Sequence, residues 1–239
     1  MRTNIGKTKW FAAAFALAVL GAAAQAVPAA AAGPSPRRFL LLIDLRQNDL
    51  PGVEMSKNAA LYFLGSTVGP EDEVAFVTFT ELRGLEVREE FTTDRDRVRK
   101  TVEGLKEMMG PTEEDAWSTP LVTHNFLEEM DEFAKGLKGV EGTKNILYFT
   151  SGLPAYGYQY DRTFRELFDR MASRFKDARA PVFVVNALGH RADWQAIEEK
   201  NDFVLRKLAG ISGGRYFYDV AQYKMIADEI GKLAVVPIP

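Results

Sequence analysis

The chain has 239 residues, enough for one well-buried domain plus a leader, and its 46% hydrophobic and 26% charged residues are ordinary for a soluble globular protein. The absence of cysteine excludes disulfides, thiol nucleophiles and a lipid-modified cysteine anchor. A formal charge of −3 without a dense basic cluster argues against nucleic acid as a partner.

The N-terminus reads as a secretory signal peptide. Arg2, Lys7 and Lys9 precede an apolar run from Trp10 to Ala24, and Ala24-Gln25-Ala26 supplies the small-residue cleavage pattern. The run is short for a spanning helix. Cleavage is expected after Ala26, with Ala32 as second choice. Removing residues 1–26 takes three positive charges and leaves 27 basic against 33 acidic residues, a formal charge of −6. An exported product, periplasmic or secreted and without a membrane span, follows. Residues 27–37 are a Pro/Ala linker with nothing to bury. The folded domain is expected over 38–233, with 234–239 as a tail.

Phe39-Leu40-Leu41-Leu42-Ile43-Asp44-Leu45 is apolar on both faces apart from Asp44. Such a strand belongs in the middle of a parallel sheet covered by helices. A carboxylate at its end lies on the sheet's carboxyl edge, where open α/β folds bind ligands. Gln47 to Gly52 read as a polar turn, and Met55, Ala59, Tyr62 and Phe63 predict a helix over 53–67 closed by Gly69-Pro70. Glu73 to Thr80 is a second buried strand. Leu85, Val87 and Phe91 alternate with Glu86, Arg88 and Glu90, a half-exposed strand that must pair antiparallel with the one before it.

Helices are expected at 94–109 and 120–137, the second capped by Thr119 with Pro120 in its first turn. Asn145 to Thr150 is a buried strand. Phe164, Leu167, Phe168, Met171 and Phe175 fall at amphipathic spacing. A strand over 181–188, a helix through Val204, Leu205, Leu208 and Ile211 ended by Gly213-Gly214, a short strand 215–218 and a helix 220–233 complete the chain. The order implies a doubly wound α/β domain: a mostly parallel central sheet, one antiparallel edge strand and helices on both faces.

Four phrases in this order resemble the von Willebrand factor A domain, in particular its divergent exported bacterial members. They are Leu41-Leu42-Ile43-Asp44, the run Asp72 to Phe79, the run Lys144 to Gly152, and the run Gly213 to Tyr218. The resemblance covers about residues 38–233 and implies binding of a partner protein at the carboxyl edge. It also implies a divalent cation held by an Asp-x-Ser-x-Ser turn, a threonine before a helix and an aspartate after a later strand. Asp44 and Thr119 match the first aspartate and the threonine. Arg46, Asn48 and Ser151 stand where the two serines and the later aspartate belong, so the ion site is degenerate.

Hard cations need several oxygen ligands. Asp44, Asn48 and Thr119 are the candidate ligands for Mg²⁺ or Mn²⁺, with Ser151 as a further oxygen and Glu113, Glu114 and Asp115 on a loop expected nearby. Arg46 opposes them. At ~6 Å and an effective dielectric of ~20, its charge costs a divalent ion roughly 5 kcal/mol. Two readings of Arg46 follow. In one, its guanidinium replaces the cation, pairs with Asp44 and grips a partner carboxylate. In the other, it forms a plain salt bridge that holds the turn. Asp44 itself has an alternative as a buried carboxylate bonded to backbone N–H groups, Thr119 as an ordinary helix cap, and Ser151-Gly152 as a strand-to-helix turn.

Trp117, Tyr156, Tyr158, Tyr160 and Trp194 are expected in loops on the same edge, as an aromatic contact rim or as local core under a long loop. His124 and His190 are isolated and make a poor metal pair. No phosphate-binding glycine loop follows the first strand, and Ser151 lacks the flanking glycine of a nucleophile elbow. The expectation is a non-enzymatic interaction domain whose partner, a protein or an extracellular polymer, meets Asp44, Arg46, Asn48, Trp117, Thr119, Ser151, Tyr156 and Tyr158. The alternatives are a hydrolase using Asp44 and Ser151 in an edge cleft and a structural module without a ligand.

Overall fold

The computed structural model describes residues 36–80, 83–105, 120–153, 155–187 and 195–234. Its central strand is β1, Arg38–Asp44, and every residue from Phe39 onward is buried. Leu40 and Leu42 join one core cluster, whereas Phe39, Leu41 and Ile43 join the other, so both faces of the strand are covered.

The remaining strands are β2 (Glu73–Thr80), β3 (Gly84–Thr92), β4 (Lys144–Thr150), β5 (Val182–Asn186) and β6 (Tyr216–Phe217). They form one sheet in the order β3-β2-β1-β4-β5-β6. All neighbours are parallel except β2 and β3, which makes β3 the antiparallel edge strand. The helices are α1 (Leu50–Ser66), α2 (Arg95–Glu103), α3 (Pro120–Leu137), α4 (Ala155–Tyr160), α5 (Arg162–Asp177), α6 (Gln195–Ser212) and α7 (Tyr223–Leu233). Side chains of α3, α4, α5 and α6 pack on one face of the sheet, and those of α1, α2 and α7 pack on the other. The domain is the doubly wound α/β fold that the sequence predicts.

Several boundaries differ for local reasons. The α1 helix starts at Leu50 because Asp49 is its N-cap, accepting from the Gly52 N–H at 2.8 Å, and Pro51 occupies the first turn. The expected turn over 47–52 is therefore half helix. The α2 helix ends at Gly104 instead of 109, with Asp94 as its cap. The tyrosine-rich stretch expected as loop contains α4, and the last helix is preceded by a separate 3-10 turn at Val220–Gln222. The α6 helix begins at Gln195, well before Val204. At its end, Gly213 takes a φ of 86° and the Gly214 N–H bonds the Ala209 carbonyl at 2.8 Å. A Cβ on Gly214 would stand 2.1 Å from the Val182 oxygen, so no larger residue fits there.

The alternation expected of β3 is broken by register irregularities opposite Phe76 and Val77. Val87 is left 36% exposed, while Glu89 is buried beneath α2, accepting from the Thr101 hydroxyl and ion-paired with Arg97, each at 2.6 Å. At the sheet's amino edge, Arg37 holds Asp72 through Nη2 at 2.6 Å and donates to the carbonyls of Thr67 at 2.9 Å and Gly231 at 3.3 Å. One side chain thus ties the start of the domain to the ends of α1 and α7.

Candidate functional site

Strand order reverses at β1, whose connection through α1 leads to β2 on one side while β4 lies on the other. The crevice between the carboxyl ends of β1 and β4 is the switch point where this architecture binds ligands. Asp44 ends β1, and Thr150 ends β4 with Ser151 directly after it.

Asp44 is fully buried and accepts four hydrogen bonds. Its Oδ1 takes the backbone N–H groups of Arg46 at 3.0 Å and Gln47 at 3.1 Å. Its Oδ2 takes the hydroxyls of Tyr148 at 2.8 Å and Thr150 at 3.0 Å. Burial, and after it the Asp44 charge, push the Tyr148 phenol well above its usual range, so it acts as a fixed donor. Asp44 is the buried carboxylate bonded to backbone N–H groups that the sequence left as an alternative, with two hydroxyls added from β4.

Asn48 and Ser151 join across the crevice. The Ser151 hydroxyl donates to Asn48 Oδ1 at 2.7 Å, and Asn48 Nδ2 donates to the Phe149 carbonyl at 3.2 Å. Four expected residues are therefore brought together: Asp44, Arg46, Asn48 and Ser151. Thr119, Trp117, Trp194, His190 and the acidic residues 113–115 lie outside the described residues, as does the side chain of Tyr156.

The pairing of Arg46 with Asp44 is corrected. Asp44 meets the Arg46 backbone, while the guanidinium lies 5.0 Å from the Phe126 ring centre and 5.7 Å from that of Phe79. With its amide oxygen turned toward the guanidinium, Gln47 accepts from Nη2 at 2.8 Å and Nε at 3.3 Å. Arg46 is only 5% exposed, and no carboxylate among the described residues lies within 4.0 Å of its guanidinium.

The placement of Tyr158 on an aromatic rim is also corrected. It is 9% exposed and packs against Phe168 at 5.3 Å and Phe203 at 5.9 Å, with its hydroxyl donating to Asp169 at 3.2 Å. Gly157 on α4 lets Phe164 close over it (a Cβ there would stand 2.9 Å from Phe164), so the stretch folds down as helix. Tyr160, the last residue of α4, is 71% exposed. His124 pairs with Asp161, the N-cap of α5, at 3.1 Å.

The chemistry of this edge follows from its donors. Both Asp44 oxygens and the Asn48 oxygen already accept hydrogen bonds from protein groups, so a hard cation at these described residues has to share or displace those bonds. Among the described residues, no three His, Cys, Asp or Glu side chains are placed to hold an ion. A serine nucleophile needs a base within reach. The hydroxyl of Ser151 instead faces the neutral amide of Asn48.

Sequence reasoning missed a second polar cluster on this edge. Asp202 of α6 accepts from the Tyr216 hydroxyl, and Asn186 at the end of β5 lies 3.2 Å from the same hydroxyl. Burial and the Asp202 hydrogen bond push the Tyr216 phenol far up. Asn186 alone carried a signal, as a polar side chain finishing an apolar strand.

Fold and edge together define a doubly wound α/β domain with a polar, hydrogen-bond-closed switch point. Solved structures of the same fold include an aerotolerance-related membrane protein from Bacteroides fragilis NCTC 9343, with a TM-score of 0.52 and 14% identity over 82% of this chain and 99% of that one. BatB from Bacteroides thetaiotaomicron gives 0.53 and 14% identity over 84% and 100%. The three N-terminal domains of the type V pili tip protein Mfa5 from Porphyromonas gingivalis give 0.51 and 8% identity over 80% and 48%. At these identities the likeness is one of fold. No protein-family model and no curated protein matches the chain. No described helix is long and apolar enough to cross a membrane.

Proposed function

We propose that the chain is an exported, non-enzymatic von Willebrand factor A-type domain that binds a partner protein, or an extracellular polymer, through the carboxyl edge of its sheet. Its metal dependence is weakened or lost. The observation that carries this reading is the closure of the switch point by its own side chains. The Asn48 oxygen, which stands at a family ion-site position, is spent on Ser151, and Asp44 is spent on Tyr148, Thr150 and two backbone N–H groups. Arg46 adds a positive charge beside these groups. Any Mg²⁺ or Mn²⁺ bound through Asp44, Asn48 and Thr119 has to displace these bonds. The hydrolase alternative lacks support from Ser151, whose partner is an amide that accepts no proton at neutral pH.

Site-specific photo-crosslinking tests the proposal. A photoreactive residue at Gln47 or Tyr160 reports on the ligand edge, and one at Glu141, near Arg38 at the amino edge, is the control. Adducts in the native envelope from positions 47 and 160, absent from 141 and unchanged by EDTA, are expected. Adducts from 141 alone, or adducts abolished by EDTA, overturn it.

A further inference from the structure

Arg46 is a buried cation whose fork is half used. Gln47 occupies the flank made by Nε and Nη2, and the rings of Phe79 and Phe126 lie beside the guanidinium. Among the described residues, no acceptor meets Nη1 and no carboxylate lies within ion-pair distance. Two phenylalanine rings and one amide fix the plane of the group without neutralising it. Buried charges are normally paired, because an unpaired one forfeits its hydration.

We propose that the end of the Arg46 fork, Nη1 together with the second hydrogen of Nη2, receives a singly charged planar carboxylate from the partner, without a metal ion. This rests on the edge-binding reading above and names the chemistry the edge recognises. Planar two-oxygen geometry matches the free end of the fork. Asp44 bonds the Arg46 backbone N–H and leaves the charge of the guanidinium to the guest. A phosphate dianion meets about twice the repulsion from Asp44 but also about twice the attraction of Arg46, so the choice rests on shape. Both carboxylate oxygens lie in the plane of the fork, and the out-of-plane oxygens of phosphate gain nothing from it. The preferred guest is therefore an aspartate, a glutamate or a chain-terminal carboxylate, and not a phosphorylated group.

The test uses the full chain and small-molecule probes. Acetate, inorganic phosphate and Mg²⁺ are titrated separately while the side-chain ¹⁵N resonances of Arg46 are followed. Acetate is expected to shift them saturably, with phosphate at least about tenfold weaker, and with Mg²⁺ and EDTA without effect on the acetate curve. Arg46→Lys, which keeps the charge and loses the fork, should weaken acetate at least about tenfold while its thermal melt stays cooperative. No acetate shift, equal or tighter phosphate, or a shift that requires Mg²⁺ overturns the proposal on the wild-type protein alone. The two ideas fail separately. Unchanged crosslinking by Arg46→Lys sinks the carboxylate grip and spares edge binding, whereas acetate binding without any edge adduct does the reverse.

Discussion

Removing the Tyr148 hydroxyl is the sharpest probe of how the crevice is held. Tyr148→Phe keeps the ring in a fully buried slot and deletes one donor, 2.8 Å from Asp44 Oδ2. A hydrogen bond to a charged acceptor contributes roughly 1.5–3 kcal/mol, and no cavity is added, so a loss of about 2 kcal/mol is expected. Thr150→Val deletes the other donor to the same oxygen, at 3.0 Å, and should cost a similar amount. Because both serve one oxygen, the double variant leaves it bare inside the protein. It should lose at least about 1 kcal/mol more than the sum of the two. Urea denaturation at neutral pH with an unchanged m-value measures all three, and the single variants should melt about 4–8 °C lower. Losses below about 0.5 kcal/mol for both single variants, or strict additivity in the double, would refute the claim that these hydroxyls hold Asp44.

Two further outcomes test the opposite edge of the sheet. Burial alone lifts the Asp72 carboxyl, but hydrogen bonds from the Arg37 side chain, the Gly69 N–H and the Arg37 N–H, with the Arg37 charge, carry it below the usual carboxylate range. A depressed folded value stabilises fully above the unfolded value near pH ~4, and that stability is lost as pH falls through the folded value. Thermal melts across the acid limb should therefore be flatter for Asp72→Asn, and identical limbs would remove the clamp. Lys144 is 2% exposed, donates to the Val140 carbonyl at 2.8 Å, and is lowered to about 8 by burial and by Arg38 and Arg179. The folded state sheds this proton before the unfolded state does, so stability rises with pH between those two values. Lys144→Met should gain about 2 kcal/mol at pH ~7, and the gain should shrink in melts at higher pH.

Much of the fold could be read from runs of apolar residues. The strands Arg38–Asp44, Glu73–Thr80 and Lys144–Thr150 are each built around an apolar run, and such runs leave little choice about layer or neighbour. The misplacements share a cause: residues whose local and tertiary signals disagree. Pro51-Gly52 reads as a turn until Asp49 is seen to cap a helix. Tyr158 reads as a polar-tipped contact residue, yet Asp169 satisfies its hydroxyl inside the helical layer. Register irregularity in β3 cannot be deduced from alternation, so Val87, expected on the buried face, is instead 36% exposed.

Within the site, Asp44 was legible as a polar residue finishing an apolar strand, and Asn48 and Ser151 as the positions that the family resemblance aligns with its ion site. Tyr148 and Thr150 were not, although the spacing of two places them on one face of β4. A lone core carboxylate needs donors, and the next strand's alternate positions are where to look. The direction of the Arg46 side chain was hidden as well. It depends on Phe79 and Phe126, which lie far away in sequence.

The knot at Arg37 also dictates how the domain carries force. Because it joins the head of β1 to the ends of α1 and α7, traction applied near residue 37 against a cargo seated at Asp44 runs straight down the sheet's middle strand. That strand is laced to β2 and β4 on both sides, parallel throughout. Such a load shears the whole ladder at once and does not unzip it bond by bond, the stronger of the two geometries for anything that must hold on under flow.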